Sequence, residues 1–105
     1  MSLKEIEKEI VAFRDARNWR KYHTPKNLAI SIVVELGELL EHFQWEDNGE
    51  IIKKVQNPKV KEEISDEIAD VMIYTILLAY ELGIDVEEAI KRKIKKNAEK
   101  YPIKG

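Results

Sequence analysis

The segment 59–82 constrains the fold more than any other part of this sequence, because it is long, helical in pattern and apolar around most of its circumference. At about 100° per residue, one narrow polar stripe contains Glu63, Glu67, Asp70, Tyr74 and Glu81. The apolar positions cover nearly every other direction: Ile68, Val71, Met72, Ile73, Ile76, Leu77, Leu78 and Ala79. A helix of this kind must be surrounded by other elements. We predict that it is the central, most buried helix and that Gly83 ends it.

Three other long segments have helical periodicity, and no stretch has a better strand pattern. They span 3–17, 26–44 and 86–100, and a shorter helix is predicted at 50–55. Each long segment follows a residue suited to cap a helix N-terminus: Ser2, Thr24 and Asp85. The last helix is expected to pack inward through Val86, Ala89, Ile90 and Ile94. The fold is therefore predicted to be an all-α, four-helix bundle-like domain.

Two pairs of acidic residues lie on the second and third long helices. They are Glu35 with Glu38 and Glu67 with Asp70, and the three-residue spacing places both carboxylates of a pair on one helix face. These helices are predicted to be antiparallel, with their carboxylates facing each other. Clustered carboxylates repel, and a hard divalent cation such as Mg²⁺ relieves that repulsion. Spacing alone leaves solvated surface charges as the alternative, and Glu63 is a ligand, a general base or an exposed acid.

Length and composition exclude several classes of protein. The 105 residues are expected to form one domain over 1–105. The net charge of −2 lacks the basic excess of a nucleic-acid binder, so no polymeric nucleic acid is expected as a partner. The absence of cysteine excludes thiolate ligands and fits a cytoplasmic protein. The longest run of low charge, 71–80, is too short to span a bilayer, so no membrane partner is expected.

Histidine placement bears on the kind of metal site. Di-iron bundles also use carboxylates from facing helices, but they require two Glu-x-x-His motifs. Neither His23 nor His42 follows a glutamate at three residues. The sequence therefore favours magnesium over a di-iron centre.

Basic and aromatic side chains have two interpretations each. The last helix is either a solubilising face or, if it borders the acidic cluster, a phosphate-binding side formed by Lys93, Asn97 and Lys100. Trp19 and Trp45 are either core or interface aromatics, or they belong to a base-stacking pocket.

With these residues identified, the sequence resembles the MazG-like all-α nucleoside triphosphate pyrophosphohydrolases, and within them the dCTP pyrophosphatase branch. That superfamily has a Glu-x-x-Glu pair followed, after a gap, by a Glu-x-x-Asp pair, which this chain supplies as Glu35, Glu38, Glu67 and Asp70. The resemblance extends over most of the chain. Its further motifs are His23-x-Pro25-x-Asn27, Phe43-Gln44-Trp45 and Lys93-x-x-x-Asn97-x-x-x-Tyr101-Pro102.

The resemblance implies an enzyme that hydrolyses a nucleoside triphosphate between the α and β phosphates and so cleans the nucleotide pool. It implies that the four acids bind Mg²⁺ and serve catalysis. The nucleoside pocket is expected to involve His23, Asn27, Trp45 and Tyr74. The phosphates or sugar are expected near Lys93, Asn97 and Tyr101, with Lys100 standing where relatives commonly carry arginine.

The resemblance also implies a homodimer or homotetramer with sites near subunit contacts. Such an assembly would account for a second apolar patch on the helix 26–44, formed by Ile30, Val33, Val34 and Gly37. Two alternatives to an enzyme for dCTP or a modified pyrimidine triphosphate remain. In the first, the enzyme acts on dUTP or phosphoribosyl-ATP. In the second, the chain is a non-catalytic helical module that binds nucleotide or oligomerises through its apolar faces.

Overall fold

The computed structural model describes residues 1–103, and within that range the chain is all-α with no strand. Its helices are α1 (Leu3–Ala16), α2 (Pro25–Glu41), α3 (Asn48–Lys54), α4 (Pro58–Glu81) and α5 (Val86–Lys100), with a 3₁₀ turn at Arg20–Tyr22. The predicted all-α class is confirmed. Residues 104 and 105, which the predicted domain includes, lie outside the described residues.

Local capping chemistry fixes most of the helix ends. The side chains of Ser2, Thr24 and Asp85 each accept a hydrogen bond from the backbone N–H three residues later, as predicted. At the end of α4, Gly83 adopts a φ of +69°, a left-handed conformation that suits glycine. Its N–H donates to the carbonyl of Tyr80, and the N–H of Ile84 donates to that of Ala79. This pair of hydrogen bonds is a Schellman motif, which confirms Gly83 as the C′ residue.

Two helix boundaries differ from the sequence prediction by more than one residue. α2 ends at Glu41 rather than at residue 44, because the N–H groups of His42 and Phe43 bond three residues back and tighten the chain into a turn. The short helix α3 begins at Asn48, two residues earlier than predicted, because Asp47 and Glu50 form a reciprocal capping box. The described chain contains the four predicted long helices and the short helix predicted between the second and third of them.

The core lies between α2 and α4, with α1 packed against α4. Four of the five buried apolar residues belong to α4, which confirms it as the most buried helix: Leu28, Ile64, Ile76, Leu77 and Ala79. The rings of His23, just before α2, and Tyr74 lie 6.2 Å apart, whereas Glu35 farther along α2 meets Glu67 earlier on α4. Residue numbers thus rise along α2 as they fall along α4, so the two helices are antiparallel.

A single copy of the chain partly buries Val86 and Ala89 at the start of α5 but leaves the apolar side chains farther along the helix uncovered. Ile90 and Ile94 are 49% and 62% exposed, so the prediction that they pack inward is wrong for this chain alone. The radius of gyration is 16.9 Å, whereas a compact chain of this length would have about 13 Å. One copy therefore does not close the predicted four-helix bundle.

The second apolar patch of α2 is also uncovered, and the exposed Leu40 extends it by one turn. We call this larger surface the outer face of α2, and it consists of Ile30, Val33, Val34, Gly37 and Leu40. Val33 is 68% exposed, and contiguous apolar exposure of this kind marks a surface that another element covers. Among residues 1–103, no helix combines the length and the apolar character needed to cross a membrane.

Candidate active site

Three of the four predicted acids meet at the α2–α4 contact. Glu35 and Glu38 lie one turn apart on α2, and Glu67 faces them from α4. One carboxylate oxygen from each residue lies within 4.8 Å of the other two. The i, i+3 spacing and the antiparallel packing together produce this juxtaposition. We call these three residues the carboxylate cluster.

The electrostatics of the carboxylate cluster fit a cation. Burial, followed by the hydrogen bond and charge of Glu38 and the charge of Asp70, raises the pKa of Glu35 to about 7. Burial and then the charge of Glu38 raise the pKa of Glu67 as well. The Oε2 atoms of Glu35 and Glu67 are buried and lack a hydrogen-bond partner in the described chain. Oxygen acceptors that are buried, unpartnered and mutually repelling are suited to hold a hard divalent cation.

Asp70 stands slightly apart from the carboxylate cluster. It lies one turn after Glu67 on α4, and its charge adds to the burial that raises the pKa values of Glu35, Glu67 and Tyr74. Asp70 also lines the neighbouring cavity. It is therefore positioned between the cluster and the cavity. Glu63 is exposed and is not among the three clustered residues.

A cavity of about 500 Å³ opens beside Asp70, between α1, the loop after it and α4. Its walls are mostly apolar and aromatic: Glu9, Ile10, Phe13, Arg14, Trp19, His23, Asp70, Ile73, Tyr74 and Leu77. The rings of Phe13 and Trp19 meet edge to face at 5.9 Å. Flat aromatic walls with a few polar groups are typical of a pocket for a planar organic ligand.

Two residues predicted for the nucleoside pocket, His23 and Tyr74, line this cavity with their rings in edge contact. The Nδ1 atom of His23 is buried without a hydrogen-bond partner in the described chain. Burial, followed by the charge of Arg14, lowers the pKa of His23, so the imidazole is neutral near pH 7. Asn27 does not line the cavity. Its amide donates to the carbonyl of Tyr22 at 3.1 Å and ties the 3₁₀ turn to α2.

Arg14 is a cavity residue that sequence reasoning missed. The residue is only 1% exposed, although arginine is rarely buried. Its Nη1 donates to Glu81 at 2.6 Å and its Nε donates to Asp15 at 3.1 Å. The available signal was an arginine one turn after Ile10, on the apolar stripe of α1, together with Glu81 on the polar stripe of α4.

The other predicted substrate contacts do not line the cavity within one chain. Trp45 is 85% exposed, because it follows the end of α2 in a turn. The remaining four are exposed on or just after α5: Lys93, Asn97, Lys100 and Tyr101. None of the five lines the cavity of the described chain. Their assignment to substrate binding therefore stays a prediction.

The raised pKa of Glu35 predicts that stabilisation by Mg²⁺ increases with pH. In the metal-free protein this carboxyl titrates at about 7, against 4.5 when unperturbed. The protonated carboxyl therefore makes its full contribution to the stability of the metal-free fold at pH values below its pKa in the unfolded chain. This contribution is lost as pH rises through its pKa in the folded protein. A cation binds the ionised carboxylate, so stabilisation by Mg²⁺ increases over the same range of pH. Melting with Mg²⁺ and with EDTA, from about pH 5 to about pH 8, measures it.

Two variants control this measurement. Glu35→Gln should flatten the pH dependence of the metal-free melting temperature. Glu41→Gln changes an exposed glutamate of the same helix that is outside the carboxylate cluster, so it should behave as the wild type. An equal Mg²⁺ effect at every pH would contradict the prediction.

Known proteins are similar to this chain over most of its length. A model of the MazG-like family matches residues 30–105. The chain is 33% identical to dCTP pyrophosphatase 1 of Rattus norvegicus over 102 residues, covering 97% of this chain and 60% of the rat protein. It is 34% identical to dCTP pyrophosphatase 1 of Homo sapiens over 101 residues, covering 96% and 59%. The chain thus spans about 60% of the length of the curated relatives that it matches.

A solved structure is similar throughout. The crystal structure of a pyrophosphatase from Archaeoglobus fulgidus superposes with a TM-score of 0.87 and 46% sequence identity, covering 96% of this chain and 93% of that one. The family model covers well over half of the chain, and the relatives match nearly all of it. The chain therefore belongs to the MazG-like family.

Proposed function

We propose that this protein hydrolyses a nucleoside triphosphate to the monophosphate and pyrophosphate in a metal-dependent reaction, with dCTP or a modified pyrimidine triphosphate as the substrate. One observation carries the proposal. The carboxylate cluster adjoins an aromatic-walled cavity of about 500 Å³, and Asp70 borders both. The names of the mammalian relatives, dCTP pyrophosphatase 1, support the choice of substrate. A cytoplasmic role in cleaning the nucleotide pool belongs to the same proposal.

The acidic residues would bind the cation, and the cavity residues would bind the base. Glu35, Glu38 and Glu67 would hold a divalent cation, proposed to be Mg²⁺, and Asp70 would complete the set on the cavity side. When bound, the cation supplies positive charge that offsets the triphosphate and lowers the pKa of the attacking water. Water would add to the α-phosphorus as the bond from that phosphorus to the α–β bridging oxygen breaks, so that pyrophosphate leaves and the proton of the water passes to solvent. The cavity would hold the base against Trp19 and Tyr74, keeping the α-phosphorus at the cluster.

The proposal includes a homodimer or homotetramer. The exposed outer face of α2, the unpacked apolar side chains of α5 and the large radius of gyration support it. In such an assembly, Trp45 and the α5 residues Lys93, Asn97, Lys100 and Tyr101 would contact substrate bound at the cluster of another copy. That arrangement would reconcile their predicted role with their absence from the cavity walls of their own chain.

The proposal is tested by measuring pyrophosphate release from dCTP, dUTP, dTTP, dATP and ATP, with Mg²⁺ and with EDTA, followed by identification of the products. We expect metal-dependent formation of dCMP and pyrophosphate, with dCTP preferred. Release of inorganic phosphate instead would contradict cleavage between the α and β phosphates. A preference for dUTP would contradict the substrate assignment, and no turnover by a folded sample would favour a nucleotide-binding module.

A further inference from the structure

One nitrogen of the Arg14 guanidinium forms no hydrogen bond within the described chain. The guanidinium is buried in the cavity wall, and its Nη2 atom has no hydrogen-bond partner in the described chain. A buried donor left unpaired lowers stability, and the effect is larger when the group is charged. Such a group is therefore a candidate to bind a ligand that enters the cavity.

The other two nitrogens hold the guanidinium in place. Nη1 is bonded to Glu81 and Nε to Asp15, while the ring of Tyr80 lies 5.5 Å from the central carbon. Glu81 is itself largely buried and also lies 3.6 Å from Nε of Arg20. Because the guanidinium is planar, fixing two of its nitrogens fixes the direction of the third. Neither N–H bond of Nη2 is used within the described chain.

We propose that Arg14 determines base specificity, with Nη2 donating a hydrogen bond to the N3 acceptor of cytosine. This inference rests on the proposed function and assigns a residue to its base preference. Uracil and thymine carry a hydrogen on N3, so the same nitrogen would meet a donor there. Two opposed donors leave both groups unpaired in a buried site, which discriminates strongly between ligands.

His23 extends the match. Its Nδ1 atom is the second unpartnered polar atom in the same cavity wall. A neutral imidazole leaves one ring nitrogen able to accept a hydrogen bond. Cytosine presents one amino donor beside its two acceptors, whereas uracil presents a carbonyl at that position. With its proton on Nε2, His23 would offer Nδ1 as an acceptor to the amino group of cytosine, and that acceptor and one donor from Arg14 would complement cytosine and not uracil.

The test compares dCTP, dUTP and 3-deaza-dCTP, which lacks the N3 acceptor, in the wild type and in Arg14→Lys. Lysine can keep the ion pair with Glu81 but has no second nitrogen for the base. In the wild type, we expect kcat/KM for dCTP to exceed that for 3-deaza-dCTP and for dUTP by roughly 10-fold or more. In Arg14→Lys, both ratios should fall to within about threefold of unity, mainly through slower turnover of dCTP.

Two further variants separate recognition from structure. Arg14→Gln combined with Glu81→Gln removes both charges together, so neither is left buried alone, and it should lose the same ratios. Arg92→Lys makes the same exchange at an exposed arginine of α5 and should keep them. Circular dichroism and melting establish that each variant is folded. Unchanged ratios in a folded Arg14→Lys protein would overturn the proposal, because a purely structural arginine would affect all three substrates alike.

Failure of the proposed function is distinguishable from failure of this inference. If the wild type hydrolyses none of the triphosphates, the role of Arg14 is tested by equilibrium binding of dCMP and dUMP, monitored by tryptophan fluorescence. Tighter binding of dCMP that disappears in Arg14→Lys would support the role of Arg14 without catalysis. Equal binding of the two monophosphates by the wild type, or no binding of either, would overturn it.

Discussion

Glu38→Gln is expected to lower turnover of dCTP by about 1000-fold or more while leaving the helices intact, because a neutral amide weakens the proposed cation site in which charge stabilisation supplies much of the rate. The exchange keeps the shape of the side chain and removes one of three carboxylates within 4.8 Å of one another. Without metal, the variant should melt no lower than the wild type, since one repelling charge is gone. Stabilisation by Mg²⁺ should largely disappear.

The measurement is the initial rate of pyrophosphate release, with circular dichroism to verify the fold. Glu41→Gln is the matched control, because this exposed glutamate lies one turn later on α2 and outside the carboxylate cluster. It should retain wild-type activity and metal-linked stabilisation. A fully active Glu38→Gln protein would refute the assignment of the site.

Val33→Glu is expected to convert the proposed oligomer into monomer and to abolish most of its activity. Val33 is the most exposed residue of the outer face of α2, at 68%. If a second copy covers that face, the new carboxylate would be buried without a partner, which is worth several kcal/mol against assembly. Activity should fall because the substrate contacts proposed for Trp45 and α5 would come from another copy. Light scattering coupled to gel filtration measures the mass directly.

The control for this experiment is Lys53→Glu, which alters charge at an exposed position of α3 away from the outer face of α2. It should leave the mass and the rate unchanged. If Val33→Glu keeps both the wild-type mass and the wild-type rate, the outer face of α2 is not a subunit contact. A monomeric wild type with full activity would contradict the proposed assembly itself.

Local chemistry explains which features the sequence predicts well. Helix starts at Ser2, Thr24 and Asp85 depend on hydrogen bonds between residues three apart, and the end at Gly83 depends on one backbone conformation. The meeting of Glu35 and Glu38 with Glu67 needed only helical spacing and one antiparallel contact. These features depend on contacts between residues close in sequence or on the pairing of two helices.

Features that depend on several elements at once were predicted poorly. Ile90 and Ile94 have an inward-facing pattern, but periodicity does not state whether the same chain or another copy covers a face. The end of α2 at Glu41 was missed because apolar spacing continues to Phe43 after the backbone has turned. Asp70 shares a stripe with Glu67 yet borders the cavity, because neighbouring turns of one helix face different surroundings.

The sequence by itself determined the helical class, the capped ends and the acidic pairs, because each follows from contacts within a few residues along the chain. Only the tertiary structure decided that Arg14 is buried with Nη2 free, since that depends on Glu81, 67 residues later, and on the walls of the cavity. An arginine on an apolar stripe has the same sequence signature whether its head group reaches solvent or a buried carboxylate. Burial and pairing are properties of the assembled helices, and they decide which charges are available to a ligand.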